Sequence, residues 1–134
     1  MPLMTWNDSY SVKVTCCDEE HKKLISLINS LHQAMSAGKG RSVIGPVIQE
    51  LHNYVGSHFR NEEALMEKTG YPALAAHRGE HQKFVAQAVK FSDELEEGLA
   101  VPMEVIMFLR DWLVNHIQHT DRAYGPHLNA RGIK

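Results

Sequence analysis

Seven side chains could do chemistry together. His58 and Glu62 are four residues apart, as are His77 and His81, and His116 is followed five residues later by Asp121. His21 stands apart, nearer the start of the chain. On a helix, residues four apart share one face, one turn above the other. Five imidazoles and two carboxylates are too many donors for one ion with open chemistry. They suit two metal ions, with the carboxylates spanning both. Imidazole plus carboxylate favours iron, manganese or zinc over the soft-ligand metals. Six-coordinate iron would take three histidines on one ion and two on the other, leaving one position vacant. Any one pair alone is weak evidence, since a buried histidine is more often a hydrogen-bonded core residue.

The elements that would position these residues are helices. Asp18 reads as a helix start, with acidic residues in the first turn. Leu24, Leu27, Ile28 and Leu31 then recur at helical spacing up to about Ala37. A break at residues 38–40 leads to a second helix, from about Arg41 to about Lys68, with Pro46 tolerated near its start. Thr69, Gly70, Tyr71 and Pro72 stop it. A third helix is expected from about Pro72 to Glu97, and a fourth opening at Pro102, apolar from Val105 through Trp112 to His116 and carrying His116 and Asp121 late in its course. Gly125 and Pro126 read as a break, with one short helix from His127 to Ala130.

The expected fold is therefore all-α: an up-down-up-down four-helix bundle with an extended N-terminal arm. Residues 1–134 form one domain, with the arm at 1–17, the bundle at 18–121 and a C-terminal tail at 122–134. In antiparallel order His21 lies early in its helix, His58 and Glu62 late, His77 and His81 early, and His116 and Asp121 late. All four sets fall at one end of the bundle, and that agreement carries more weight than any pair. The five-residue step from His116 to Asp121 does not fit a regular helix. It calls for a reaching carboxylate or a loosened turn.

Composition narrows the function classes. The chain has 134 residues, 43% of them hydrophobic, enough to bury a core without staples. Its net charge of -2 argues against general nucleic-acid binding. Cys16 and Cys17 are adjacent and read as reduced packing residues of a cytoplasmic protein. No signal segment and no membrane span is expected. A monomer is the simpler expectation.

The ligand pattern resembles the hemerythrin family, in particular its single-domain bacterial members. The resemblance spans nearly the whole chain, including Asp-Glu-Glu-His-Lys-Lys-Leu at 18–24 and Trp-Leu-Val-Asn-His-Ile at 112–117. It implies two iron ions, cycling between ferrous and ferric, bridged by an oxo or hydroxo group. His77, His81 and His116 would hold one, His21 and His58 the other, and Glu62 and Asp121 would bridge. The implied activity is reversible dioxygen binding rather than enzymatic turnover, for oxygen carriage, storage or delivery. An oxygen-consuming enzyme is a candidate recipient. Leu113, with Trp112, Ile117 and Phe59, would wall the oxygen pocket, and Tyr124 would be a hydrogen-bond donor behind the ligands. Two departures stand out: the Cys16-Cys17 pair, and His119, read as facing outward. His32, His52 and His127 have no partners at ligand spacing. The rival readings are an oxygen or redox sensor acting through a separate partner, and a di-iron oxidase or iron-storage protein. The latter class uses Glu-x-x-His pairs, and none occurs here.

Overall fold

A computed structural model describes residues 2–38, 41–97 and 103–134. After a short 3-10 turn at Asp8–Tyr10 come α1 (Thr15–Ser36), α2 (Arg41–Thr69), α3 (Leu74–Glu96) and α4 (Met103–Asn115). A π-helical segment, His116–Asp121, then runs straight into α5 (Arg122–Ala130). The described residues contain no strand. α1 packs on α2 and α4, and α2 packs also on α3 and α5. No helix among the described residues is long and apolar enough to cross a membrane.

The first helix begins earlier than its acidic residues suggest. Thr15 opens α1, and Asp18 lies a turn inside it. The Asp18 carboxylate turns back to the arm, accepting from the Val12 N–H at 2.9 Å and the Ser11 hydroxyl at 2.7 Å. The arm thus ends at Val14. Val12 and Val14 are buried, and Lys13 between them takes a positive φ of 63°. That costly backbone is held by Asn129, whose amide donates to the Lys13 carbonyl at 2.9 Å. Trp6 packs half-buried, with the Lys22 ammonium over its ring. Cys17, now helical, faces inward.

Gly70 closes α2 with φ 69°, while the Tyr71 N–H returns to the Met66 carbonyl at 2.9 Å. This is the left-handed cap that glycine adopts without strain. Pro72 sits in the turn before α3, which opens at Leu74. The 38–40 break and the opening of the fourth helix at Pro102 involve residues 39–40 and 98–102, which lie outside the described residues.

The chain end departs most from expectation. Gly125 and Pro126 do not interrupt it: α5 is continuous from Arg122 to Ala130, with Pro126 inside. A proline inside a helix costs about 3 kcal/mol. Tyr124 and Leu128 are fully buried on this helix, and each contributes about 1.5–3 kcal/mol, which offsets it. Gly125 is needed for a different reason. α5 crosses the arm so closely that a Cβ there would collide with the Val12 carbonyl.

Candidate metal centre

All seven predicted ligands meet at one end of the bundle, and every one is buried. α1 supplies His21, α2 supplies His58 and Glu62, and α3 supplies His77 and His81. The π-helical segment carries His116 and Asp121 at its two ends. That segment answers the spacing problem. Its i→i+5 bonding brings residues five apart onto one face, and His116 Nε2 lies 3.0 Å from Asp121 Oδ1.

The donor atoms form two groups that share both carboxylates. In one, Asp121 Oδ1 faces His77 Nε2 at 2.9 Å and His116 Nε2 at 3.0 Å, and Glu62 Oε1 faces His81 Nε2 at 3.4 Å. In the other, Asp121 Oδ2 faces His21 Nε2 at 3.0 Å, and Glu62 Oε2 faces it at 3.2 Å. His58 Nε2 lies 3.3 Å from Glu62 Oε1. Each carboxylate thus spans both groups.

Three glutamates that sequence reasoning missed fix the imidazoles. His58 Nδ1 meets Glu20 Oε1 at 3.0 Å, His81 Nδ1 meets Glu63 Oε2 at 2.9 Å, and His116 Nδ1 meets Glu80 Oε1 at 3.2 Å. Each carboxylate holds an imidazole of a later element: α1 to α2, α2 to α3, α3 to the π-helical segment. A carboxylate at Nδ1 places the proton there and turns the Nε2 lone pair inward. Further contacts brace the glutamates. Asn61 donates to Glu20 at 2.7 Å, Arg78 Nε to Glu63 at 2.9 Å, and the Thr120 hydroxyl to Glu80 at 3.0 Å.

This arrangement fits a metal. His81 Nε2 and His116 Nε2 lie 3.0 Å apart, with both protons drawn to the opposite nitrogens. Two lone pairs at that distance repel unless a cation draws both. Adjacent ligands each about 2.1 Å from one ion, at right angles, stand about 3.0 Å apart. Both Asp121 oxygens, Glu62 Oε1 and His77 Nε2 are fully buried and, close as the imidazoles stand, lack a well-aligned hydrogen bond. Unpaired buried polar atoms are costly, and coordination would satisfy them.

Charge tells the same story for the metal-free chain. Burial pulls the His21 pKa down, but the hydrogen bonds and charge of Asp121 and Glu62 outweigh it, raising it to about 9. Burial likewise opposes His58, which Glu62's charge and Glu20's hydrogen bond raise to about 10. Burial pushes the Glu62 and Asp121 carboxyls up, and the histidines more than reverse it, holding both well below the usual range. Two buried anions among five imidazoles demand positive charge.

A family model for the hemerythrin HHE cation binding domain matches residues 13–128. The chain belongs to the hemerythrin family. The bacteriohemerythrin of Methylococcus capsulatus is 40% identical over 132 residues, covering 97% of this chain and 100% of the relative. That of Stenotrophomonas maltophilia is 35% identical, covering 97% of this chain and 84% of the relative. Among solved structures, wild-type hemerythrin aligns with TM-score 0.88 and 40% identity, over 94% of this chain and 98% of that one. A leucine-to-tyrosine hemerythrin variant aligns with TM-score 0.91 and 39% identity, over 96% and 98%. The hemerythrin fold thus comes with a buried His/Glu/Asp cluster suited to a non-haem metal site.

Around that cluster, Phe59 stacks on the His81 imidazole, with centroids 3.7 Å apart, and half-buried Trp112 stacks on His116 at 4.3 Å. Both rings therefore lie against the three-imidazole side. Leu113 and Ile117 are buried in the adjoining core. Tyr124 is fully buried, and its hydroxyl donates to Glu62 Oε2. His119 is exposed, as its spacing suggested. His127 donates from Nε2 to the Thr69 carbonyl, tying α5 to the end of α2. His32 and His52 are half-buried and outside the cluster.

Proposed function

We propose that this hemerythrin-family chain holds two iron ions and binds dioxygen reversibly as a carrier, storage or delivery protein rather than as an enzyme. His77, His81 and His116 hold one ion, His21 and His58 the other, and Glu62 and Asp121 bridge them. The observation that carries the reading is the pair of shared carboxylates: Asp121 presents one oxygen to each imidazole group, and Glu62 reaches both. When bound, a ferrous pair supplies two electrons and an open coordination position at which dioxygen can be taken up and given back.

The chain's own residues make that exchange reversible. His21 and His58 would fill fewer positions on their ion than the opposite triad on its own, which would leave the opening on their side. Leu113 and Ile117 keep that end of the bundle apolar. Water and anions in such a site favour irreversible oxidation, and a dry wall excludes them. Glu20, Glu63 and Glu80 hold imidazole protons at Nδ1, so the inward nitrogens stay free. Tyr124 keeps its proton on Glu62 Oε2.

Optical cycling tests the reading. Iron-loaded protein is reduced without air, then exposed alternately to air and nitrogen. Charge-transfer bands should appear with oxygen and fade without it over repeated cycles. Immediate, irreversible oxidation with peroxide release would sink the carrier reading in favour of an oxidase. Separately, His77→Ala should lower iron content, and unchanged loading would refute the ligand assignment.

A further inference from the structure

An apolar cavity lies inside the bundle, away from the clustered ligands. All four long helices wall it: Leu31 from α1, Leu51 and Val55 from α2, Phe84 and Ala88 from α3, and Leu109 from α4. Leu51 and Ala88 stand seven residues from His58 and His81. At 1.5 Å per residue, the cavity's middle is about 10 Å along the bundle from those ligands. Phe84 joins the two. Its ring meets Phe59 edge to face, with centroids 5.8 Å apart, and Phe59 stacks on His81 at 3.7 Å. At the surface, half-buried His52 and Val85 line both the cavity and a groove between α2 and α3. They form its doorway. The centre of a water-sized sphere has about 30 Å³ of room inside, where about 10–15 Å³ holds one water. Among the described residues that line it, only His52 is polar. A lodged water needs about two to four polar partners, and a buried ion needs its charge paired. The wall therefore suits neither, and suits a small apolar molecule.

We propose that this cavity is a second binding site, for a small apolar molecule, and that dioxygen lodges there on its way to and from the metal centre. Its place on that path rests on the dioxygen-binding reading above; its affinity for a small apolar molecule does not. Wall atoms that face a void forfeit dispersion contacts, and a small apolar guest restores them. Native cores leave few spaces this large, since each lowers stability. The space exists here because Ala88 brings one methyl to a wall otherwise built of larger side chains. Position 88 therefore controls the volume. A larger residue there closes the cavity without replacing a ligand or any of Glu20, Glu63 and Glu80. A mere packing defect between the helices predicts no guest and no effect of closing it on oxygen exchange.

Dioxygen is paramagnetic and speeds the relaxation of nuclei it touches, so NMR of the metal-free protein under oxygen pressure tests the site directly. Methyl relaxation in Leu51, Val55 and Leu109 should rise well above that in Leu24 and Leu128, which are at least as buried but outside the cavity. Xenon should shift the same three sets of methyls. Uniform enhancement across the core, or water cross-peaks to those methyls, would overturn the proposal. Ala88→Leu should abolish the selective enhancement. In iron-loaded protein it should slow dioxygen association and dissociation by the same factor and leave affinity unchanged, because the cavity lies on the path and not at its end. Unchanged rates in the filled variant, or a change confined to one of them, would refute the path. If Ala88→Leu fails to fold, the wild-type NMR measurement still decides whether the guest binds, and Ala88→Val, which adds less volume, takes the kinetic test. Selective enhancement in a protein that never oxygenates reversibly would keep the cavity and end the carrier reading. Reversible oxygenation without selective enhancement would do the opposite.

Discussion

The Tyr124 hydroxyl donates to Glu62 Oε2 across 62 residues of chain, with neither side chain open to solvent. The bond exists because α5 continues without a break from the π-helical segment, carrying Tyr124 under the carboxylate. Bonds to charged groups contribute about 1.5–3 kcal/mol. Tyr124→Phe should therefore destabilise the metal-free protein in urea, by about 1.5 kcal/mol, the lower end, because His21 and His58 still serve Glu62. A midpoint within error of wild type would show that the hydroxyl does not support the carboxylate.

The register of the ligands was legible because helical spacing and chain direction act independently and agree. His21, the α2 and α3 pairs, and His116 with Asp121 all fall at one end only if the bundle is antiparallel. The π-helical turn was legible as a misfit, five residues where four were wanted. Glu20, Glu63 and Glu80 were not. Each adjoins a ligand in sequence, yet serves an imidazole on a later element, and that depends on helix rotations no single helix specifies. The start of α1 was misread because Asp18 has first-turn chemistry, while its carboxylate is used by the arm behind it. The apparent break at Gly125 failed because a local signal lost to the burial of Tyr124 and Leu128. Whether Cys17 faced the site depended on that helix start.

The metal-free fold should be most stable in mildly acidic solution. His21 and His58 titrate at about 9 and about 10, against 6.5 for a free imidazole. Raised values mean stability that is complete below about pH 6.5 and lost as pH climbs through 9 to 10. Glu62 and Asp121 are held below their ordinary 4.5 and 3.8. Lowered values mean stability present above those figures and lost as pH falls beneath them. Urea midpoints of metal-free protein should peak between about pH 4.5 and 6.5. Metal binding needs bare imidazole nitrogens, so uptake at neutral pH should release protons and tighten as pH rises. A metal-free midpoint still climbing at pH 9 would contradict this.

The three glutamates behind the imidazoles should differ in weight. Groups that orient metal-bound histidine typically matter by about 10–100-fold in affinity. Glu20 and Glu63 are 21% and 23% exposed, whereas Glu80 is 44% exposed. Water can replace Glu80 more readily at His116, although Thr120 also holds that carboxylate. Competition with a chelator should show Glu20→Gln and Glu63→Gln weakening metal retention more than Glu80→Gln. Equal affinity across all three variants and wild type would mean the imidazoles orient themselves.

Gly125→Ala tests whether the arm and α5 together position Tyr124. The added Cβ would meet the Val12 carbonyl oxygen, and backbone cannot rotate aside as a side chain can. Overpacking at a tight contact costs about 1–3 kcal/mol. The strain has two outlets. Either the arm lifts, which breaks the Asp18 bonds to Val12 and Ser11, or α5 shifts and moves Tyr124 off Glu62. The first lowers stability and exposes residues 11–14 to hydrogen exchange while leaving the metal site alone. The second also alters the optical spectrum of the iron-loaded protein. α5 runs on from the segment that carries His116 and Asp121, whereas the arm beside it is irregular backbone, so the first is the expected outcome: faster exchange at Val12 with an unchanged spectrum. Wild-type exchange together with wild-type stability would show that the arm and α5 are not closely apposed at Gly125.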